Sequence, residues 1–71
     1  MQVLYNSKTD LLYLRLDDRP QAVINQRVTD DIVLDIGADE KIIGIEISDA
    51  STHLTLKQVL PVEYEVLPEV A

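Results

Sequence analysis

The chain has 71 residues, 46% of them apolar, a formal net charge of -7 from 6 Lys+Arg against 13 Asp+Glu, and no Cys, Trp or Phe. That length allows one domain, residues 1–71, and the missing Cys removes disulfides and the usual structural zinc sites. The basic residues Lys8, Arg15, Arg19, Arg27, Lys41 and Lys57 are scattered, which argues against nucleic acid, because displacing counterions from a phosphate backbone needs clustered positive charge.

No apolar run approaches the roughly 18 residues of a membrane span. The first residues lack the basic segment and apolar core of a secretory signal. A cytoplasmic protein that contacts no membrane is therefore expected. Folding one copy buries apolar surface worth on the order of 110 kcal/mol. Ordering the chain, at roughly 1.5 kcal/mol per residue, costs about as much. With neither disulfide nor zinc to tip this balance, a homodimer or larger homo-oligomer is the expected remedy.

The pattern is one of short apolar runs separated by turn residues, which reads as β-rich. Gln2 to Tyr5 is a first strand, closed by the polar turn Asn6-Ser7-Lys8-Thr9-Asp10. In the second, Leu11 to Leu16, the side chains of Leu12, Leu14 and Leu16 share one face, and Tyr13 and Arg15 the other. Asp17-Asp18-Arg19-Pro20 ends it, since Pro cannot donate to a ladder. A weaker third strand runs from about Ala22 to Val28, with Gln26 interrupting its apolar side.

The clearest hairpin follows. Ile32, Leu34 and Ile36 line one face of the fourth strand, and Ile43, Ile45 and Ile47 one face of the fifth. Pairing Ile36 with Ile43, Leu34 with Ile45 and Ile32 with Ile47 stacks all six, with the turn inside Gly37 to Lys41. A slip by one residue would turn Asp35 into the core, so the register is specified. Asp49 is placed to cap a short helix beginning at Ala50. Thr55 and Gln58 have capping-box spacing for a second turn ending before Pro61. Val62, Tyr64 and Val66, bracketed by Pro61 and Pro68, form a sixth strand candidate. This 61–68 segment either returns to an edge of its own sheet or pairs with another subunit.

The expected fold is α+β, mainly β: an antiparallel meander sheet of five to six strands with one or two short C-terminal helices. Leu12, Leu14, Leu16, Ile32, Leu34, Ile36, Ile43, Ile45, Ile47 and Leu54 are the expected buried set. The helical segment and a second subunit are expected to cover that face.

Tyr5, Asp10, Leu12-Tyr13-Leu14-Arg15-Leu16, Val33-Leu34-Asp35-Ile36, Gly44-Ile45-Glu46-Ile47 and Asp49-Ala50-Ser51 together resemble a small bacterial and archaeal family, the domain of unknown function 2283. The resemblance covers roughly residues 5 to 54 and implies a small β-sheet protein with a short helix after the last meander strand. It brings no catalytic residues and no cofactor. It also implies an antitoxin-like role, since members are sometimes encoded beside small ribonuclease-toxin-like proteins. Two positions depart from the family pattern, Asn6 where Asp is frequent and Glu40 where Gly is frequent. A positive φ at Glu40 would cost about 1 kcal/mol.

The polar face carries the candidate site: Arg15, Arg27, Asp35 and Glu46. In a simple meander the two arginines join the two carboxylates, which could come within roughly 7 to 8 Å as diagonal neighbours. Gly44 leaves open space opposite Asp35. One reading is an acid pair that moves a proton or holds a divalent cation. The other is a solvated or interfacial face of mixed charge, and it carries more weight. Asp17-Asp18, Asp30-Asp31 and Asp39-Glu40 fit turn chemistry, and His53, two residues from Ser51, has no helical geometry for a nucleophilic pair. Tyr5, Tyr13 and Tyr64 are expected at core edges or an interface. The leading expectation is a non-catalytic, acidic interaction module. An antitoxin-like partner of a basic protein stands second, and a small enzyme or metal binder using Asp35 and Glu46 third.

Overall fold

A computed structural model describes residues 1–59 and 65–68. Five strands form one antiparallel sheet: β1 (Gln2–Asn6), β2 (Leu11–Arg15), β3 (Ile24–Arg27), β4 (Ile32–Ile36) and β5 (Ile42–Ile47). A 3-10 turn, Ala38–Glu40, joins β4 to β5, and the short helices α1 (Ala50–His53) and α2 (Leu56–Val59) follow. The fold is α+β and mainly β, as the alternation of apolar residues predicts. Val62–Tyr64 of the sixth strand candidate lie outside the described residues, while Glu65–Pro68 have no regular structure.

The strand order is β1-β2-β5-β4-β3. It departs from a simple meander at one link: β2 pairs with β5, and the chain crosses to the far edge before β3. The composition of the strands accounts for this. The isoleucines of β5, four in six residues, gain most from a neighbour on each side, so β5 is central. Ile-Asn-Gln-Arg in β3 loses least at an edge, and all four of its residues are exposed. The crossing wraps the start of β5. The amides of Leu16 and Asp17 both donate to the Ile43 carbonyl, at 2.9 and 3.2 Å, and Gln21 Oε1 accepts from the Ala38 amide at 2.8 Å. Pro20, which has no amide hydrogen, sits within this link rather than in a strand.

The β4–β5 register holds as expected at Leu34 with Ile45 and Ile32 with Ile47. A bulge between Asp35 and Ile36 then sets Ile36 opposite Ile42 instead of Ile43. Ile43 still faces inward and is buried.

The core is smaller than the pattern predicts. Among the described residues Leu12, Ile43 and Ala50 are the buried apolar side chains. Leu14, Ile32, Leu34, Ile36, Ile45, Ile47 and Leu54 are half-buried, and Leu16 is 43% exposed. Burial falls across the aliphatic face, from Leu12 on β2 at 1% exposed to Ile24 on β3 at 71%. A single sheet has two faces, and among the described residues the helical segment beside it begins with the fully buried Ala50.

α1 is held from outside itself. Asp49, the expected cap, adopts a left-handed conformation (φ 50°) and makes no capping bond with its side chain. The cap is Asp10, from the β1–β2 turn. Its carboxylate accepts from the Ser51 amide at 3.1 and 3.2 Å and from Ser51 Oγ at 2.6 Å, and its carbonyl accepts from the Ala50 amide at 2.9 Å. Asp49 is displaced from that role because its own φ turns the chain into the helix.

Candidate functional site

Directly opposed residues in an antiparallel ladder share a face. Arg15 lies opposite Gly44, Gly44 opposite Asp35, and Asp35 opposite Asn25. Tyr13 lies opposite Glu46, Glu46 opposite Val33, and Val33 opposite Arg27. The four sequence-predicted residues Arg15, Arg27, Asp35 and Glu46 therefore stand on one face. The order that places them there differs from the expected one, since β2 reaches β4 across β5.

Tyr13 organises this face. Its ring lies across β5, and its Oη donates to Asp35 Oδ2 on β4 at 2.7 Å. Asn25 Nδ2, from β3, donates to Asp35 Oδ1 at 2.5 Å. Both oxygens of the Asp35 carboxylate are thus engaged by neighbouring strands. The space above Gly44, which the sequence suggested was open, is filled. A Cβ there would come within 2.1 Å of Tyr13 Oη. Gly44 is needed for the close approach of the ring rather than for its backbone angles, since no glycine has positive φ. The hydrogen bond to Asp35 raises the Tyr13 pKa first, with burial and the Asp35 charge adding to it. Tyr13 is consequently held in its protonated form, as a hydrogen-bond donor.

The arginines are turned to other tasks. Arg15 places its guanidinium carbon 5.8 Å from the Tyr13 ring centroid, within cation–π range, and donates to Gln2 Oε1 at 2.9 Å. Arg27 donates to the carbonyl of Asp30 at 2.7 Å, closing the turn after β3. Among the described residues no common partner joins Asp35 to Glu46. No group of three His, Cys, Asp or Glu is placed to hold a metal ion among the described residues.

Two clusters beside α1 escape sequence reasoning based on local spacing. Tyr5 Oη donates to Asp10 Oδ1 at 2.7 Å, so Tyr5, Asp10 and Ser51 form one network. The hydrogen bonds from Ser51 and Tyr5 lower the Asp10 pKa from the ordinary carboxylate value. At the other end, His53 Nε2 lies 2.8 Å from Asp31 Oδ2, with both side chains partly exposed, and the Ser48 amide donates to the Asp31 carbonyl at 2.8 Å. Ser51 donates its hydroxyl to Asp10 and His53 meets Asp31, so the two are not a nucleophile and base. Tyr5, Asp10 and Ser51 all stood in the family pattern, the one signal that could have singled them out.

A shallow recess of about 330 Å³ lies where the crossing passes the β4–β5 turn, with Arg19, Gln21, Asp39 and Lys41 on its walls. Arg19 is already forked onto Asp17, with contacts from 2.6 to 3.1 Å.

The arrangement is a sheet face knitted by cross-strand polar contacts beside a pinned helix. Residues 2–51 match the family described as "Protein of unknown function (DUF2283)". The chain belongs to that family. Nothing among curated proteins or solved structures matches it.

Proposed function

We propose that the chain is a non-catalytic interaction module that acts as a homo-oligomer through its aliphatic face. One observation carries this reading: six side chains there, Leu14, Ile32, Leu34, Ile36, Ile45 and Ile47, are incompletely buried in a single copy. Ile24 and Val28, at 71% and 54% exposure, extend the same apolar surface to the β3 edge. A contiguous apolar surface of this kind marks an interaction site. Sheets that stack face to face sit about 10 Å apart with interdigitated side chains, which suits a second copy of the same ridge. The engagement of both Asp35 oxygens by neighbouring strands and the separation of Ser51 from His53 support a binding role over catalysis.

Sedimentation at micromolar concentration tests it. The expected mass exceeds the 8.0 kDa of one chain, and Leu34→Asp lowers it. A wild-type monomer of high melting temperature overturns the reading. The net charge of -7 favours a second reading, an acidic antitoxin-like partner for a basic protein. A pull-down with the adjacent gene product at low salt checks that one, and failure to bind removes it.

A further inference from the structure

The two edges of the sheet differ. β3 is a four-residue strand and carries Arg27. β1 has five residues, Gln2-Val3-Leu4-Tyr5-Asn6, with no charge and no Pro. Edge strands are ordinarily protected from pairing by charge, Pro, bulges or shortness. β1 has none of these devices, in a chain whose net charge is -7.

We infer that the β1 edge is an interface that pairs antiparallel with β1 of a second copy, centred on Leu4. The register is self-complementary. Gln2 meets Asn6 of the other copy, Val3 meets Tyr5, and Leu4 meets Leu4. Faces are preserved, because a two-fold axis normal to the sheet relates residues of equal parity. Val3 and Tyr5 lie on the side of Leu12 and Leu14, as their register with β2 requires. They form a β-branched–aromatic pair across the seam, of the kind that stabilises cross-strand neighbours. The Tyr5 ring is already held by its bond to Asp10. On the other side Leu4, 42% exposed in one copy, is covered by its counterpart.

Two five-stranded sheets become one continuous ten-stranded sheet. This contact is separate from the stacked face proposed above, and either can exist without the other.

The absence of Cys allows single-site spin labelling. A nitroxide on Leu4→Cys is expected to give a dipolar-broadened spectrum whose amplitude is restored by excess unlabelled protein. The same label on Arg27→Cys, on the polar side of the opposite edge, stays sharp. Adding Leu34→Asp to the Leu4→Cys protein leaves the broadening in place, whereas Leu4→Lys in otherwise wild-type protein lowers the sedimentation mass. A sharp Leu4→Cys spectrum, or broadening at Arg27→Cys instead, overturns the inference. So does coupling within one chain between labels at Leu4→Cys and Val66→Cys in diluted samples, which would put the chain's own tail on this edge.

Discussion

Gly44 and Tyr13 show how one small residue lets a side chain act across two strands. The ring reaches Asp35 because nothing projects from Gly44, and Gly44 is buried because the ring lies on it. Gly44→Ala is expected to destabilise the fold by about 1–3 kcal/mol, the usual cost of overpacking. Paired with Tyr13→Ala, the same change should cost much less than it does alone, a coupling that urea denaturation of the four proteins measures. Tyr13 also sets the alkaline behaviour. Its pKa is raised in the folded state, so its contribution is complete below the ordinary tyrosine value near 10. It is lost as pH rises through the native value. Tyr13→Phe is expected to flatten that limb of the stability curve. Glu40 is a second informative residue. It sits at φ 58° without the short side chain that lets Asp accept such a conformation. Glu40→Gly should stabilise the fold by about 1 kcal/mol, read as a higher urea midpoint.

At the scale of elements, α1 is the piece that local propensity cannot explain. Four residues are far below the length at which a helix is stable by itself. It persists because two turns grip it, with Asp10 at its start and Asp31 beside its end. Its stability should therefore follow the ionisation of Asp10. That pKa is lowered in the folded state, so the contribution is present above the ordinary carboxylate value near 4. It is lost as pH falls through the native value. The Asp17 carboxylate, depressed by Arg19, steepens the same acid limb. Asp10→Ala is expected to shallow that limb and to speed hydrogen exchange at the Ser51 amide. An unchanged exchange rate would mean that packing of Ala50, not the carboxylate, holds the helix.

At the scale of the molecule, one layer of sheet with a short helical segment leaves the aliphatic side incompletely covered. The radius of gyration is 13.9 Å, against about 11 Å for a compact chain of this length. A protein stabilised by association melts at a temperature that rises with concentration. The wild type should show that dependence in calorimetry, and Leu34→Asp should weaken it. A concentration-independent transition in both proteins would place the missing stability inside a single copy.

Alternation along each strand is a local property, so residue order alone tells which side chains share a face. Arg15, Arg27, Asp35 and Glu46 were legible as one polar face for that reason, and so were the pairings of Leu34 with Ile45 and Ile32 with Ile47. Parity along a strand survives any reordering of strands, whereas the choice of neighbour does not. The pairing of β2 with β5 is a long-range choice, because it weighs burial of the β5 isoleucines against closure of the loop to β3. The same holds for Tyr13 crossing Gly44 to reach Asp35, and for Asp10 capping a helix 41 residues along the chain. Each is a contact between segments that no local window contains, and it exists only once the strands have taken their places.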